Sequence, residues 1–472
     1  MKILSFLPEI LLLINVLVIE VTHFIRRTQT PKTFATISKF FIGLALAGCI
    51  IFYNISYDEK WYINSLYTTF FKSLLLLCSL FLNFLACKWF VSKNYPSYRY
   101  YQIISLSLLA LLIAISCRHL GIFALVIIID QILMGKLSHF TDENKENEDS
   151  SIINKWQIMI LTGLLIISIG WFYYITGSLQ YHELIDFYTK TSPSFPDKLA
   201  VMIFIAAILF IIGAAPFHVG LFQRMKYSNL PSSGYMFISS LIAGQSLLVM
   251  FSYQNFPLFA PNISELLLLC GVTSLFMGAM GIESCKHIRQ QFYCINLFNI
   301  GIVLILYSNL TRISIESGLI YSLVYGLSLM GLYTCCYGMR YRGEYLSDIN
   351  ELSGLSLDRP LLASALIVFC ISLLGIPPLL GMLSNFAVFN VLWTAQKWGL
   401  LIMIFAMFIV AANGILSLIK SVYFNPKRYH FDRIDRGVYL CLLCNITLMI
   451  LIVLNPKYLM QDIETMIQNF LM

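Results

Sequence analysis

Apolar runs of about 20 residues, long enough to cross a bilayer as a helix, recur fourteen times along the chain. They lie near 5–22, 34–56, 66–90, 99–117, 119–138, 156–177, 199–222, 231–252, 262–282, 290–308, 315–338, 361–391, 398–420 and 436–454. A backbone in lipid must satisfy its own hydrogen bonds, so runs of this length fold as helices. The fold class expected is therefore all-α: a polytopic integral membrane protein with about fourteen transmembrane helices. The 472 residues are 58% hydrophobic and only 12% charged, with a mean hydropathy of +0.78. That composition excludes a soluble protein of this length and leaves no room for a separate soluble domain. Residues 1–472 read as a single membrane domain. The first run has no basic leader and no small-residue cleavage site, so it reads as a retained helix.

Two of the runs break at proline in mid-membrane: Gly213-Ala-Ala-Pro216-Phe-His218 in the seventh, and Gly375-Ile-Pro377-Pro378-Leu-Leu-Gly381 in the twelfth. Proline lacks a backbone N–H and clashes one turn back, which interrupts a helix. The freed groups must then be met by protein or water. An ordinary proline kink is the plain reading of one such segment. A pair in two halves of a membrane protein points to an internal ion path. Five spans separate the breaks, which relates spans 4–8 to spans 9–13. An odd number of spans per unit inverts the second copy, so inverted five-helix repeats are expected over approximately 99–254 and 262–424.

Charge settles the expected topology. Counting span edges, odd-numbered loops hold twenty Lys and Arg, including Arg26, Arg27, Lys145, Arg224, Lys226 and Arg428. Even-numbered loops hold six. The positive-inside rule places the odd loops on the cytoplasmic or matrix face and both termini opposite. These loops need no nucleic-acid partner. The acidic run 141–151 reads as a solvated turn, and 178–198 as an aqueous loop with one helical turn. Arg359-Pro360 reads as a helix start. Most of the twelve cysteines sit inside apolar runs. Cys441 and Cys444 have metal-site spacing but no polar neighbours, so inert thiols are expected. No nucleotide loop, haem attachment motif or iron–sulfur spacing is present, and no cofactor or metal is expected in this chain.

Several blocks carry a resemblance. Residues 288–301 (IRQQFYCINLFNIG), 321–331 (YSLVYGLSLMG), 348–355 (DINELSGL), Arg359-Pro360, 371–381 (ISLLGIPPLLG) and 214–218 (AAPFH) resemble, in order and spacing, blocks of the antiporter-like membrane subunits of respiratory complex I. The opening 7–14 and closing 420–424 also fit. The pattern is nearest to the NADH dehydrogenase subunit 2 family, in its fourteen-span bacterial and plant-type form. The resemblance implies a proton-translocating subunit of NADH:ubiquinone oxidoreductase, with no redox chemistry of its own. It implies other complex I membrane-arm subunits and lipids as partners. It also implies the mitochondrial inner membrane, with both termini facing the intermembrane space, and synthesis inside the organelle, since no presequence is visible.

In that family, proton movement is attributed to a Glu on the fifth helix, Lys on the seventh and eighth, and Lys or Glu on the twelfth. The chain departs from this pattern. The lysine positions carry over to Ile211, Ala243 and Asn385, and the glutamate position to Ile128, when aligned without gaps. Asp130 lies two residues on, roughly 200° around a helix, and serves only if the register slips. The remaining proton-path candidates are Asp130, His218 and Lys72. His218 relays protons or caps the broken helix. Lys72 is read midway along the third helix, as a functional ion or a side chain snorkelling to the interface. Glu283, Lys286, His287 and Arg289 read as an interfacial charge cluster. Three functions follow: a complex I subunit with a weakened or idle channel, one pumping by a rerouted path through Asp130 and His218, and a free-standing cation/proton antiporter. The scarcity of deep carboxylates ranks the antiporter last, and the missing lysines favour the idle channel.

Overall fold

The computed structural model describes residues 5–25, 31–53, 57–140, 148–427 and 430–471. Arg26, Arg27, Lys145, Arg428 and positions 141–147 of the acidic run lie outside them. Almost everything described is helix, interrupted by two-residue hairpin strands at Tyr57–Asp58 with Ile63–Asn64 and Arg340–Tyr341 with Glu344–Tyr345.

The helices are α1 (Leu7–Ile25), α2 (Pro31–Ile51), α3 (Leu66–Lys93), α4 (Tyr98–Ser116), α5 (Leu120–Ser138), α6 (Glu148–Thr176), α7 (Tyr181–Lys190), α8 (Phe195–Ile212), α9 (Val219–Tyr227) and α10 (Leu230–Val249). There follow α11 (Ala260–Ser284), α12 (Ile288–Tyr307), α13 (Arg312–Gly338), α14 (Pro360–Leu373), α15 (Gly381–Thr394), α16 (Trp398–Tyr423), α17 (Arg436–Leu454) and α18 (Pro456–Leu471). Among the described residues, 13 helices are long and apolar enough to cross a membrane. The fourteenth crossing is the split pair α14 and α15. The crossings match the fourteen apolar runs.

Local chemistry sets the helix ends. Ser65 and Thr68 form a reciprocal capping box on α3, and Thr311 with Ser314 does so on α13. Asn229 caps α10 just ahead of Pro231. α14 begins at Pro360, as Arg359-Pro360 suggested. Segment 178–198 departs from expectation: it holds a ten-residue helix, α7, rather than one turn. Its Tyr181, Leu184 and Tyr188 share a face and are buried, and that apolar stripe stabilises it beyond a turn. α18 was not foreseen. Its hydropathy is too low for a span, yet Ile463, Met466, Ile467 and Phe470 form a buried stripe along it.

Both breaks are where the prolines place them. α8 stops at Gly213, whose φ of +76° is the left-handed cap that glycine adopts freely. α9 resumes after Pro216-Phe-His218. α14 stops before Gly375, at φ +65°, and α15 resumes at Gly381.

The chain divides into two compact units. Unit 1 comprises Met1–Gly213, Gln223–Ile263 and Met466–Met472. Its centre is α10, every residue of which is buried, packed against α3, α4 and α8. Unit 2 comprises Ala214–Phe222 and Ser264–Thr465. Its centre is α12 and α13, with α14, α15 and α17 packed on α13.

Candidate functional site

Membrane burial makes ionisable side chains expensive, so the buried ones mark where the fold commits polar chemistry. Among the described residues, the buried Asp, Glu, Lys and Arg side chains are Glu9, Lys72, Asp130, Asp197 and Arg224, and all five belong to unit 1. They form two connected sites and one helix cap, the last being Asp197 at the start of α8.

The main site surrounds Asp130, in the middle of α5 and 2% exposed. Ile128 is half-buried, so α5 turns the aspartate, not the position aligned without gaps, into the interior. Ser107 of α4 donates to Asp130 Oδ1 at 2.6 Å, and Tyr235 of α10 donates to Ser107 Oγ at 3.0 Å. Arg224 Nη1 donates to Gln131 Oε1 at 2.7 Å, and Arg224 Nε donates to Asn154 Oδ1 at 2.8 Å. Asn154 Nδ2 donates to Ser138 Oγ at 3.0 Å and lies 2.6 Å from His139 Nε2. The polar string thus runs from Tyr235 through Ser107, Asp130 and its neighbour Gln131 to Arg224, Asn154 and His139. His139 and Asn154 open into a cleft of about 940 Å³ at the odd-loop end of α5, lined also by Arg99, Lys136 and Lys155.

Arg224 corrects the loop reading. It was counted among the odd-loop cations, yet it is 3% exposed on α9. α9 completes the broken span, so residues through Tyr227 belong to it. The proline break was the available signal, since a helix interrupted near Pro216 must continue past position 222 to finish its crossing. Gln131, Asn154 and Tyr235 carried no comparable signal, being ordinary polar residues until packing brings them together, whereas Glu9 carried one, as a carboxylate inside the first apolar run.

On the even-loop side of Asp130 the interior is aromatic. Phe123 lies seven residues earlier on α5, roughly 10 Å along the axis. Its ring packs 5.0 Å from Phe251 and 5.7 Å from Phe204. Phe172 and Phe256 extend the cluster at 5.6 Å from each other, and Tyr181 of α7 closes it 5.3 Å from Phe251. All six rings are buried.

The second site corrects the reading of Lys72. The residue lies six positions after the start of α3, not midway, and is 1% exposed, so it does not snorkel. Its Nζ donates to Glu9 Oε1 at 2.5 Å and to Tyr62 Oη at 2.8 Å. Tyr62 in turn donates to the Ser5 carbonyl at 2.9 Å. One ammonium therefore ties the first turn of α1 and the 57–64 hairpin to α3.

The positions onto which the resemblance carries the family lysines, Ile211, Ala243 and Asn385, have apolar or neutral side chains. Ile211 and Ala243 are buried, and a Cβ on Gly244 would lie 2.6 Å from Ile212 Cγ1, so α8 and α10 leave no gap for water there. Asn385 lies in unit 2. Its amide occupies the space a side chain on Gly375 would need. It faces a cavity of about 310 Å³ otherwise lined by groups such as Ile302, Val388 and Phe405. His218, also in unit 2, opens α9. Its carbonyl accepts from Phe222 N–H at 3.1 Å and from Tyr293 Oη at 3.0 Å. In the cluster at the junction of α11 and α12, Glu283, Lys286 and His287 are exposed while Arg289 is partly buried, and His287 pairs with Asp348 at 2.5 Å to hold the 347–349 turn.

A profile described as NADH:quinone oxidoreductase/Mrp antiporter, TM, matches residues 118–410, which include both broken spans and the Asp130–Arg224 site. The chain belongs to this family. NADH-quinone oxidoreductase subunit N of Rhodospirillum rubrum is 22% identical over 438 residues, covering 91% of this chain and 89% of that protein. Subunit N of Pelagibacter ubique is 22% identical over 405 residues, covering 84% and 85%. Among solved structures, a chain of respiratory complex I from Thermus thermophilus superposes with a TM-score of 0.80 at 19% identity, covering 96% of this chain and 98% of that one. A chain of the Mrp complex from Dietzia sp. superposes with a TM-score of 0.83 at 13% identity, covering 100% and 98%. The antiporter-like membrane fold is thus shared by respiratory and antiporter assemblies.

Proposed function

We propose that the chain is a membrane-arm subunit of an NADH:quinone oxidoreductase, in the place subunit N takes, and that its own proton path is idle. The observation that carries the idle path is the distribution of buried charge: among the described residues the fully buried Asp, Glu, Lys and Arg side chains all lie in unit 1, and the desolvated ion of unit 2, Arg289 at the start of α12, is a guanidinium that cannot relay a proton. A proton path needs titratable relays. Asn385 does not titrate at physiological pH. In unit 1 the polar string passes through Arg224, whose guanidinium does not deprotonate in proteins and cannot hand a proton on. It serves as a fixed counter-charge for Asp130. Beyond Asp130 the five phenylalanines of the cluster offer neither donors nor acceptors, and the Tyr181 hydroxyl that closes it is buried without a hydrogen-bond partner. Protons reach neither face by this route.

The subunit then contributes scaffold rather than pumping, and it takes no part in the electron transfer from NADH to quinone. The proposal includes the mitochondrial inner membrane, with both termini in the intermembrane space. Support comes from the loop charge asymmetry, which survives moving Arg224 from loop to interior. Both relatives named above are bacterial, and the equivalent bacterial site is the cytoplasmic membrane. The free-standing antiporter reading draws on the Mrp likeness. It ranks last because it asks for a carboxylate-lined site, and among the described residues the buried carboxylates are Glu9, paired with Lys72, Asp197, capping α8, and Asp130.

The test is affinity purification of the full chain from its native membrane. Recovery with NADH:quinone oxidoreductase activity supports the assembly. Recovery with sodium/proton exchange and no NADH oxidation refutes it.

A further inference from the structure

We propose that Cys285 and Cys294 form a reversible disulfide, with Cys285 as the attacking thiol and Cys294 as the resolving one. Their sulfurs lie 3.7 Å apart at the corner between α11 and α12, on the odd-loop side. Bonding needs the sulfurs to close from there to about 2.0 Å. The corner is built for the approach. Gly281 has no side chain, and Cys294 Sγ occupies the place where a Cβ would sit, 2.5 Å from it. α12 thereby brings its sulfur down against the backbone of α11.

Exposure divides the roles. Cys285 is half-exposed outside the span, while Cys294 is 5% exposed. The other described cysteines are buried, except Cys444, on α17. The contact with the Cys294 thiol also holds the Cys285 thiol below its ordinary range. Thiolate is the nucleophile, which favours attack from Cys285.

The oxidant is a small disulfide, RSSR. The Cys285 thiolate attacks one of its sulfurs, forming a protein–SR bond and releasing RS⁻. The Cys294 thiol attacks the Cys285 sulfur and passes its proton to the second RS⁻ as that group departs. The two protons given up by the protein thiols are taken by the two RS⁻ ions, so the net change is two protein thiols plus RSSR to one protein disulfide plus two RSH. The odd-loop face meets a reducing compartment, so the resting state is the dithiol.

The corner bears on the broken span. Tyr293, next to Cys294, donates to the His218 carbonyl at 3.0 Å. Gln291 donates to the carbonyls of Ile282 at 3.1 Å and Gly414 at 3.0 Å. A bond between Cys285 and Cys294 fixes the junction from which these three contacts are made.

Membranes carrying the full chain are treated with oxidised glutathione, quenched with N-ethylmaleimide and digested with trypsin without reduction. Lys286 and Arg289 lie between the two cysteines, so cleavage leaves two peptides joined only through sulfur. The expected result is the linked pair, released by dithiothreitol. C294S should trap glutathione on Cys285, and C285S should leave Cys294 unmodified. The proposal is overturned if wild-type Cys285 carries glutathione while Cys294 stays free. It is overturned equally if both cysteines take up maleimide after oxidation.

Discussion

Lys72 shows how much one residue's reading depends on its partner. A buried ion pair is held by the match of its two charges, and removing one leaves the other uncompensated, at about 3–5 kcal/mol. Glu9→Gln should therefore lower the thermal stability of the detergent-solubilised protein markedly. Glu9→Leu combined with Lys72→Met should recover most of the loss, since neither charge is then left alone. A double variant no better than the singles would show that the two residues act separately. A second residue-scale expectation concerns pH. Asp358 accepts from Lys427 Nζ at 2.5 Å and from Phe431 N–H at 3.2 Å, and the Lys427 bond holds its carboxyl below the usual aspartate value of 3.8. A lowered carboxyl stabilises above the unfolded value, and the contribution is lost as pH falls through the folded one. Hydrogen exchange at Phe431 should stay slow from neutral pH down to about 4 and rise, after correction for intrinsic rate, below that. At this scale the sequence was only partly legible. Asp130 and Lys72 could be picked out as charges in apolar runs. Arg224, just past the proline break, and Glu9, inside the first run, carried signals of the same kind, but Gln131 and Asn154 did not, and which of these residues pair depends on which helices pack together, which no single-helix period encodes.

Whole elements were far easier to read than their partners. Fourteen crossings follow from run length, and both breaks follow from proline, because each is a local constraint that packing cannot override. α7 and α18 were missed since an amphipathic stripe of ten to sixteen residues looks like loop until something covers its apolar side. The closeness of neighbouring helices is set by glycine. A Cβ on Gly301 of α12 would lie 2.5 Å from Leu275 N and 2.8 Å from the Gly271 carbonyl of α11, both backbone atoms. A Cβ on Gly278 would meet the backbone of Phe298. These small residues let α11 and α12 touch along their backbones, the usual route to tight packing in lipid. Gly301→Ala must push the two helices apart, at about 1–3 kcal/mol or more. It should lower the steady-state amount of protein in the membrane. Gly163→Ala on α6, where nothing lies within 4 Å, is the control and should be neutral. Equal accumulation of both variants would show that the α11–α12 contact tolerates separation.

For the molecule as a whole, the division of charge between the units matters more than any single residue. Unit 1 keeps an aspartate and an arginine in its interior but routes them to one face only, with the phenylalanine cluster across the other. Unit 2 keeps the broken helix, and the position onto which the family resemblance carries an ion holds Asn385, against a mostly apolar cavity. A fold can keep its helix breaks without its relays because the two answer to different constraints: the breaks shape the packing of the bundle, and the relays only carry charge. Two consequences differ in sign from those of a working channel. If the channel is idle as proposed, Asp130→Asn should change proton uptake per NADH little, since Arg224 and the phenylalanines flank the carboxylate with groups that do not relay protons. Arg224→Gln should instead destabilise the protein, by leaving Asp130 without its counter-charge, while Arg224→Gln with Asp130→Asn should restore accumulation. The measurement is proton translocation by the reconstituted complex against a relative that retains the lysines, with subunit content determined in parallel. Fewer protons per NADH than the relative, unchanged by Asp130→Asn, is the expected outcome. A full stoichiometry that falls with Asp130→Asn while the complex stays intact would falsify the idle channel and make Asp130 a working relay.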